Sequence, residues 1–315
     1  MKTKNTLITA ATIFAAVGLQ AAYPTPITID TVKVGDAGNA ADTGGTVGAG
    51  SVAYDYYIGT TEVTAGQYAA FLNAVASTSD VNGLYNASMY NGIRGCGIQQ
   101  LGNATDGYTY GVTKGDSMPV NYVSVYDAMC FCNWLTSGNT EIGVYMFNGE
   151  ANGITLVTRN DAAWQAGGIA IASLDEWYKA AFYQGNGTYS MYANGTNAAP
   201  TATEANYNIS GIGTITYVDF GATSHYGTYG QNGNVWEWTD TVTGSGANVY
   251  RLGGGFLNPA TDLWASNDNT SDAATGEGAS MGFRVSSLEP IPEPSTYAAI
   301  FGVLALAVVA YRKRK

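Results

Sequence analysis

Gly233-Asn234-Val235-Trp236-Glu237-Trp238 reads as a turn that runs into a strand. Asn232-Gly233 marks the turn. The period of two along a strand then puts Trp236 and Trp238 on one face and Glu237 on the other. Paired indoles on one face read as core. The carboxylate opposite them needs a partner: a metal, an arginine or backbone amides. Gly282-Phe283-Arg284-Val285 supplies an arginine, and Glu237, Glu176 and Glu62 are the acids open to it. A guanidinium fork suits a buried carboxylate, so structural pairing is expected of Arg284 ahead of substrate binding.

Upstream, helical signals stand out. Thr64-Ala65-Gly66-Gln67 is a capping box, followed by Tyr68, Phe71, Leu72 and Val75 at core-facing spacing. A second helix starts at Ser124, with Ala128, Phe131, Cys132 and Leu135 on its buried face and Cys130 off it. A third capping box, Ser173 to Glu176, opens a short helix bearing Trp177, Ala180, Ala181 and Phe182. Strands are expected at Ala53 to Ile58, Gly213 to Val218, Asn234 to Thr239, Tyr250 to Phe256 and Met281 to Ser286. Asn-Gly turns punctuate the rest. A few capped helices among short strands and long loops give an α+β domain with an irregular core.

Composition narrows function. Of 13 basic residues, Lys2 and Lys4 lie near the N-terminus and four lie in the last four positions; seven remain against 24 acidic residues. A body this acidic does not bind nucleic acid through phosphates. One histidine, His225, excludes metal sites built on several imidazoles. Three cysteines allow at most one internal disulfide, and Cys130 and Cys132, two apart on a helix, face different ways. Gly35 to Asp42 spaces oxygen ligands at alternate positions but lacks the closing bidentate Glu of an EF-hand loop, so calcium and a solvated loop both remain open.

The two ends read as targeting segments. Lys2 and Lys4 precede an apolar stretch, Leu7 to Leu19, and Leu19-Gln20-Ala21 fits a cleavage site, which makes residues 1–21 a signal peptide for signal peptidase. At the other end, Pro292-Glu293-Pro294 leads to an apolar run from Thr296 to Tyr311 and then Arg312-Lys313-Arg314-Lys315. Sixteen helical residues span about 24 Å, slightly short of a ~30 Å hydrocarbon core. The order of these parts resembles the PEP-CTERM sorting signal of Gram-negative bacteria. That resemblance implies export, transient anchoring in the inner membrane by the tail, and processing by an exosortase. An ordinary C-terminal anchor fits the same basic cluster. The expected organisation is therefore 1–21 signal, 22–50 polar lead-in, 51–287 domain, 288–295 linker, and 296–315 membrane helix with basic end.

The body, taken in order, resembles the formylglycine-generating enzyme family, or sulfatase-modifying factor domain. The motifs are Ile58-Gly59-Thr60-Thr61-Glu62-Val63-Thr64, Met118-Pro119-Val120-Asn121-Tyr122-Val123-Ser124, Ala172-Ser173-Leu174-Asp175-Glu176-Trp177, Gly233 to Trp238, Arg251-Leu252-Gly253-Gly254-Gly255-Phe256 and Gly282 to Val285. The resemblance implies an irregular C-type-lectin-like fold. It also implies oxidation of a substrate cysteine on copper held by two cysteines, but those positions fall on Asn258 and Leu263. An amide and an alkyl group do not replace two thiolates, so copper is not expected. The family calcium site maps to Glu237 with the carbonyls of Gly233 and Val235, and its first ligand position is Gly230, which has no side chain. A second calcium site maps to Asn206 and Tyr207.

These readings converge on an exported, non-catalytic domain that binds a polar ligand, a glycan or peptide, at the cell surface or in matrix. Asn258, Asp262, Trp264, Asn267 and Asp268 are the candidate ligand residues, with core packing the other role open to Trp264. Calcium is a candidate structural cofactor. The alternatives are an oxidoreductase acting on protein cysteines through relocated thiols, and a structural envelope or biofilm protein.

Overall fold

The computed structural model describes residues 27–45, 47–147, 157–246, 248–268 and 270–291. The expected signal peptide and the Pro-Glu-Pro tail lie outside them. Among the described residues no helix is long and apolar enough to cross a membrane.

Among the described residues ten strands run in chain order: β1 (Thr31–Val34), β2 (Tyr56–Gly59), β3 (Ile98–Asn103), β4 (Gly107–Val112), β5 (Ala170–Ile171), β6 (Trp236–Val242), β7 (Asn248–Leu252), β8 (Ser271–Ala273), β9 (Met281–Phe283) and β10 (Val285–Ser287). The helices are α1 (Ala65–Val75), α2 (Ser88–Asn91), α3 (Val125–Ser137), α4 (Asp161–Gln165) and α5 (Leu174–Phe182), with a 3-10 turn at Ala260–Leu263. One sheet has the order β1-β2-β10-β5, a second β8-β7-β6-β9, and β3 and β4 form a separate hairpin. Among these strands the pairings are antiparallel except β6 with β9, where Glu237 stands opposite Gly282. The chain passes from the second sheet to the first between β9 and β10, across the single residue Arg284.

The three long helices begin where the capping boxes place them. Thr64 accepts from the Gln67 amide and Gln67 returns the bond to the Thr64 amide; Ser124 with Asp127 and Ser173 with Glu176 do the same. Gly138, at φ 79°, closes α3 in the left-handed region that a side chain would strain. Tyr68, Phe71 and Leu72 are fully buried and Val75 partly so.

Four expectations need correction. Cys130 is buried as completely as Cys132, because every residue of α3 from Val125 to Leu135 is buried. A helix packed on all sides has no outer face. No strand forms over 213–218: Ile215 is buried, but the Thr216 amide donates to the Asn234 side chain and the Val218 amide to the Ser117 carbonyl. The lead-in is not a separate segment, since β1 pairs along its length with β2. Finally, the carboxylates of the loop from Gly35 to Asp42 are taken up by protein donors. Asp36 accepts from the Tyr183 hydroxyl, and Asp42 from the Tyr178 hydroxyl at 2.7 Å and the Gly44 amide at 2.8 Å.

The main core gathers α1, α3, β6 and β9 around an aromatic cluster. Phe131 contacts Tyr68, Phe71, Trp134 and Phe283 with ring centroids 5.4–6.0 Å apart. A second cluster joins α5 to β2 and β7 through Trp177, Tyr178, Phe182 and Leu252. We expect Phe131→Ala to cost about 3–5 kcal/mol in urea unfolding. Ile93→Ala, at a position 91% exposed, should stay within about 0.5 kcal/mol.

Candidate functional site

Arg284 is fully buried, and its guanidinium reaches three separate parts of the chain. Nε donates to Glu237 Oε2 at 2.5 Å and Nη2 to Glu237 Oε1 at 2.6 Å, a bidentate pair. Nη1 donates to the Gly59 carbonyl at 3.0 Å, and Nη2 also to the Tyr229 carbonyl at 2.7 Å. Trp177 Nε1 adds a bond to Glu237 Oε2 at 2.7 Å. Of the three acids open to Arg284, Glu237 is the partner. Glu176 belongs instead to Arg159, which donates to it at 2.9 Å and to Asp240 at 2.8 Å while lying 4.1 Å over the Trp164 ring. Burial pushes the Glu176 carboxyl up, but the Arg159 charge and hydrogen bonds more than offset this and hold it below its usual value.

Glu62 is the third acid, and no motif announces its setting. It is buried, its Oε1 accepts from Asn234 Nδ2 at 2.9 Å, and its Oε2 has no hydrogen-bond partner among the described residues. Gly230 makes room for it. At φ 75°, a Cβ on Gly230 would come within 2.3–2.5 Å of the Glu62 carboxyl atoms. Burial first, and then the Glu237 charge, push the Glu62 carboxyl well above its ordinary value against the opposing pull of Arg284 and Asn234.

The calcium positions do not fit the ion as they are paired. Both Glu237 oxygens are committed to Arg284 and Trp177, so a cation there would meet a guanidinium. Asn206 Oδ1 accepts from Ser210 Oγ at 2.8 Å, the Asn206 carbonyl from the Asn234 amide at 2.7 Å, and the Tyr207 carbonyl from the Ser210 amide at 2.9 Å. Gly233 and Val235 offer backbone carbonyls only. Among the described residues no three His, Cys, Asp or Glu side chains converge on a metal position.

The copper positions do not fit either. Asn258 Oδ1 accepts from Trp236 Nε1 and from the Gly255 amide, each at 3.0 Å, and its Nδ2 donates to Asp262 at 2.5 Å. Leu263 is buried with Tyr192, Ala205 and Tyr207. Cys96, Cys130 and Cys132 are free thiols inside the main core, and burial pushes all three up, away from thiolate.

Four of the five candidate ligand residues come together around the 3-10 turn. Asn258 bonds Asp262, the Asn267 amide donates to the Trp264 carbonyl at 2.9 Å, and Asn267 Nδ2 reaches the Asp262 carbonyl at 3.3 Å. Trp264 is 37% exposed and its Nε1 donates to the Tyr192 hydroxyl, a partner 72 residues away that no motif announces. Leu257, beside Asn258, is also exposed. Asp268 is the exception: it is fully buried and accepts from the Val47 amide at 3.0 Å, so it anchors the loop before β2.

Two outcomes follow from this geometry. Arg284→Met should cost about 3–5 kcal/mol, because it strands the Glu237 charge in the core, and pairing it with Glu237→Leu should recover part of that loss in a double-mutant cycle. The raised acids set a pH slope. Glu62 rises from 4.5, and burial pushes Asp127 from 3.8 up to about 8. Both keep protons in the fold that the unfolded chain releases. Their contribution is therefore full below the unfolded values and is lost as pH rises through the folded ones. Melting temperature should fall between about pH 5 and pH 8, and Glu62→Gln should flatten that slope.

A profile of the family described as the sulfatase-modifying factor enzyme 1-like domain matches residues 31–287. No curated protein matches the chain. Solved structures similar to it in fold include the following three. The Treponema denticola variable protein 1 is 19% identical with a TM-score of 0.53, over 84% of this chain and 99% of that one. CarF is 22% identical with a TM-score of 0.55, over 83% and 99%. PvdO from Pseudomonas aeruginosa is 15% identical with a TM-score of 0.52, over 84% and 99%. By its profile match and its few helices among short, mixed strands, the chain belongs to the sulfatase-modifying factor enzyme 1-like domain family, with the irregular C-type-lectin-like fold.

Proposed function

We propose that this protein is an exported, non-catalytic member of its family that binds a polar ligand, a glycan or a peptide, at the cell surface or in extracellular matrix. The observation that carries the reading is the pair Asn258 and Leu263. Where the family resemblance implies two copper thiolates, one side chain is an amide spent on Trp236, Gly255 and Asp262, and the other is a buried alkyl group. The chain's three thiols lie in the core, which argues equally against an oxidoreductase with relocated cysteines. What remains at that place is a surface with an exposed indole and polar neighbours. An indole face beside amide and carboxylate groups suits a sugar ring or a peptide.

Export rests on the sequence of the two ends. Signal peptidase would remove residues 1–21, and an exosortase-type enzyme would process the Pro-Glu-Pro tail after its transient stay in the membrane. Calcium, if it acts on this protein, is structural, and it would need a rearrangement of Arg284 to reach Glu237.

Two measurements test the reading. Full-length chain supplied with copper(I) and a Cys-x-Pro-x-Arg peptide in air should leave the peptide cysteine unchanged by mass spectrometry; conversion to formylglycine would overturn the non-catalytic reading. Binding to immobilised glycans and peptides should saturate and weaken about tenfold in Trp264→Ala. Equal affinity of the two proteins would remove the Trp264 face from the proposal.

A further inference from the structure

A cleft of about 430 Å³ opens elsewhere on the molecule, with walls that share no residue with the Trp264 face. It lies between the segment before β1, the Thr60–Thr64 stretch that leads into α1, and the 217–219 loop. Its volume falls in the range of small-ligand sites, roughly 300–1,000 Å³.

The chemistry of its walls is one-sided. Asp30, Glu62 and Asp219 line it, and no lysine, arginine or histidine does. Asp30 and Asp219 are exposed and have no ion-pair partner among the described residues. Glu62 is the buried acid whose Oε2 has no hydrogen-bond partner. An unmatched acceptor at that depth is costly unless something supplies a donor or a positive charge. The rest of the wall divides in two. Ile29, Val63, Val218 and Val285 give it an apolar side, while threonines 60, 61 and 64 with Gln67 and Ser117 give hydroxyl and amide groups.

We infer that this cleft binds an aliphatic ammonium ion, its methylenes against the valine and isoleucine side and its charged end at the carboxylates. A metal ion suits the place less well. Small hard cations need several oxygen ligands converging at about 2–2.6 Å, and no such group of acidic side chains occurs among the described residues. An organic cation does not need that convergence. It spreads its contacts over a cleft of this size and uses both kinds of wall. Asp30 and Asp219 are the charged contacts at the mouth, and Glu62, which keeps its proton, offers a carboxyl oxygen without a hydrogen-bond partner beneath them.

The test is calorimetric titration of the full-length chain with 1,5-diaminopentane at low salt, beside 1,5-pentanediol as its uncharged counterpart. Saturable binding of the diamine alone is expected, with affinity falling about tenfold in the double variant Asp30→Asn, Asp219→Asn. Both positions are exposed and neither side chain holds the fold, and an unchanged melting temperature would verify this. Trp264→Ala should leave binding intact, which keeps this site distinct from the ligand face proposed above. Absence of saturable binding, equal binding of the diol, or unchanged affinity in the double variant would each overturn the inference.

Discussion

The bond between Arg284 and Glu237 holds the two sheets in one domain. Arg284 is the single residue between β9 and β10, so the chain changes sheets at its backbone. Its side chain binds Glu237 on β6 in one sheet and the Gly59 carbonyl at the end of β2 in the other. Trp177 of α5 closes the arrangement by donating to the same carboxylate. One guanidinium thus fixes the position of two sheets, one helix and the loop at Tyr229. Burying two charges is expensive, and a pair of this kind repays it only when every oxygen and most N–H groups are satisfied. Here Glu237 accepts from three donors, which satisfies that condition.

This use of Glu237 decides what the site beside it can be. A carboxylate committed to an arginine is not available to a cation. Glu62 then takes the space that Gly230 leaves open, and a second acid enters the same neighbourhood. Two carboxylates near one guanidinium cannot both be ionised cheaply, and the less well-bonded one keeps its proton. The scaffold motifs of the family are therefore intact in this chain while their polar centre is an internal ion-pair network. Asn258 shows the same pattern, because its side chain ties Trp236, Gly255 and Asp262 together.

Much of this was legible in the residues. The three capping boxes gave helix starts to the residue, because a cap is a local exchange of hydrogen bonds over three positions. The alternation in β6 and the position of Arg284 narrowed the central pair to a choice of three acids. The remainder depended on distance in sequence. Arg159 reaches Asp240 across 81 residues and Trp264 reaches Tyr192 across 72, with no spacing that signals either. The segment 213–218 has the hydrophobicity of a strand, yet the Asn234 side chain stands in for a strand neighbour. The β3–β4 hairpin was missed although β4 alternates, with Tyr108, Tyr110 and Val112 toward the core; glycines at 102, 107 and 111 and the polar run in β3 weaken the strand signal. Asp268 read as a surface group and proved to be an internal anchor, a difference that composition alone does not encode.

The location of the positive charges completes the argument about function. Outside the two terminal segments the chain has seven basic residues. Arg284 and Lys179 are fully buried and Arg159 nearly so. Arg94 and Arg251 lie over the rings of Phe256 and Trp236, and Lys114 donates to the Gly95 carbonyl. Among these seven, Lys33, paired with Asp55, and Lys114 are exposed. Internal architecture has consumed the cations, and the surface is acidic because few remain to balance it. That surface repels polyanions and attracts cations at long range. A partner drawn to it by charge is positive, and the cleft at Asp30 and Asp219 is where such a charge finds both a concave wall and no competing lysine or arginine. The ligand face proposed at Trp264 rests on a different principle, since an exposed indole beside an amide would select by stacking and hydrogen bonds whatever the sign of the ligand. The two surfaces therefore differ in salt dependence: screening weakens the first and leaves the second nearly unchanged.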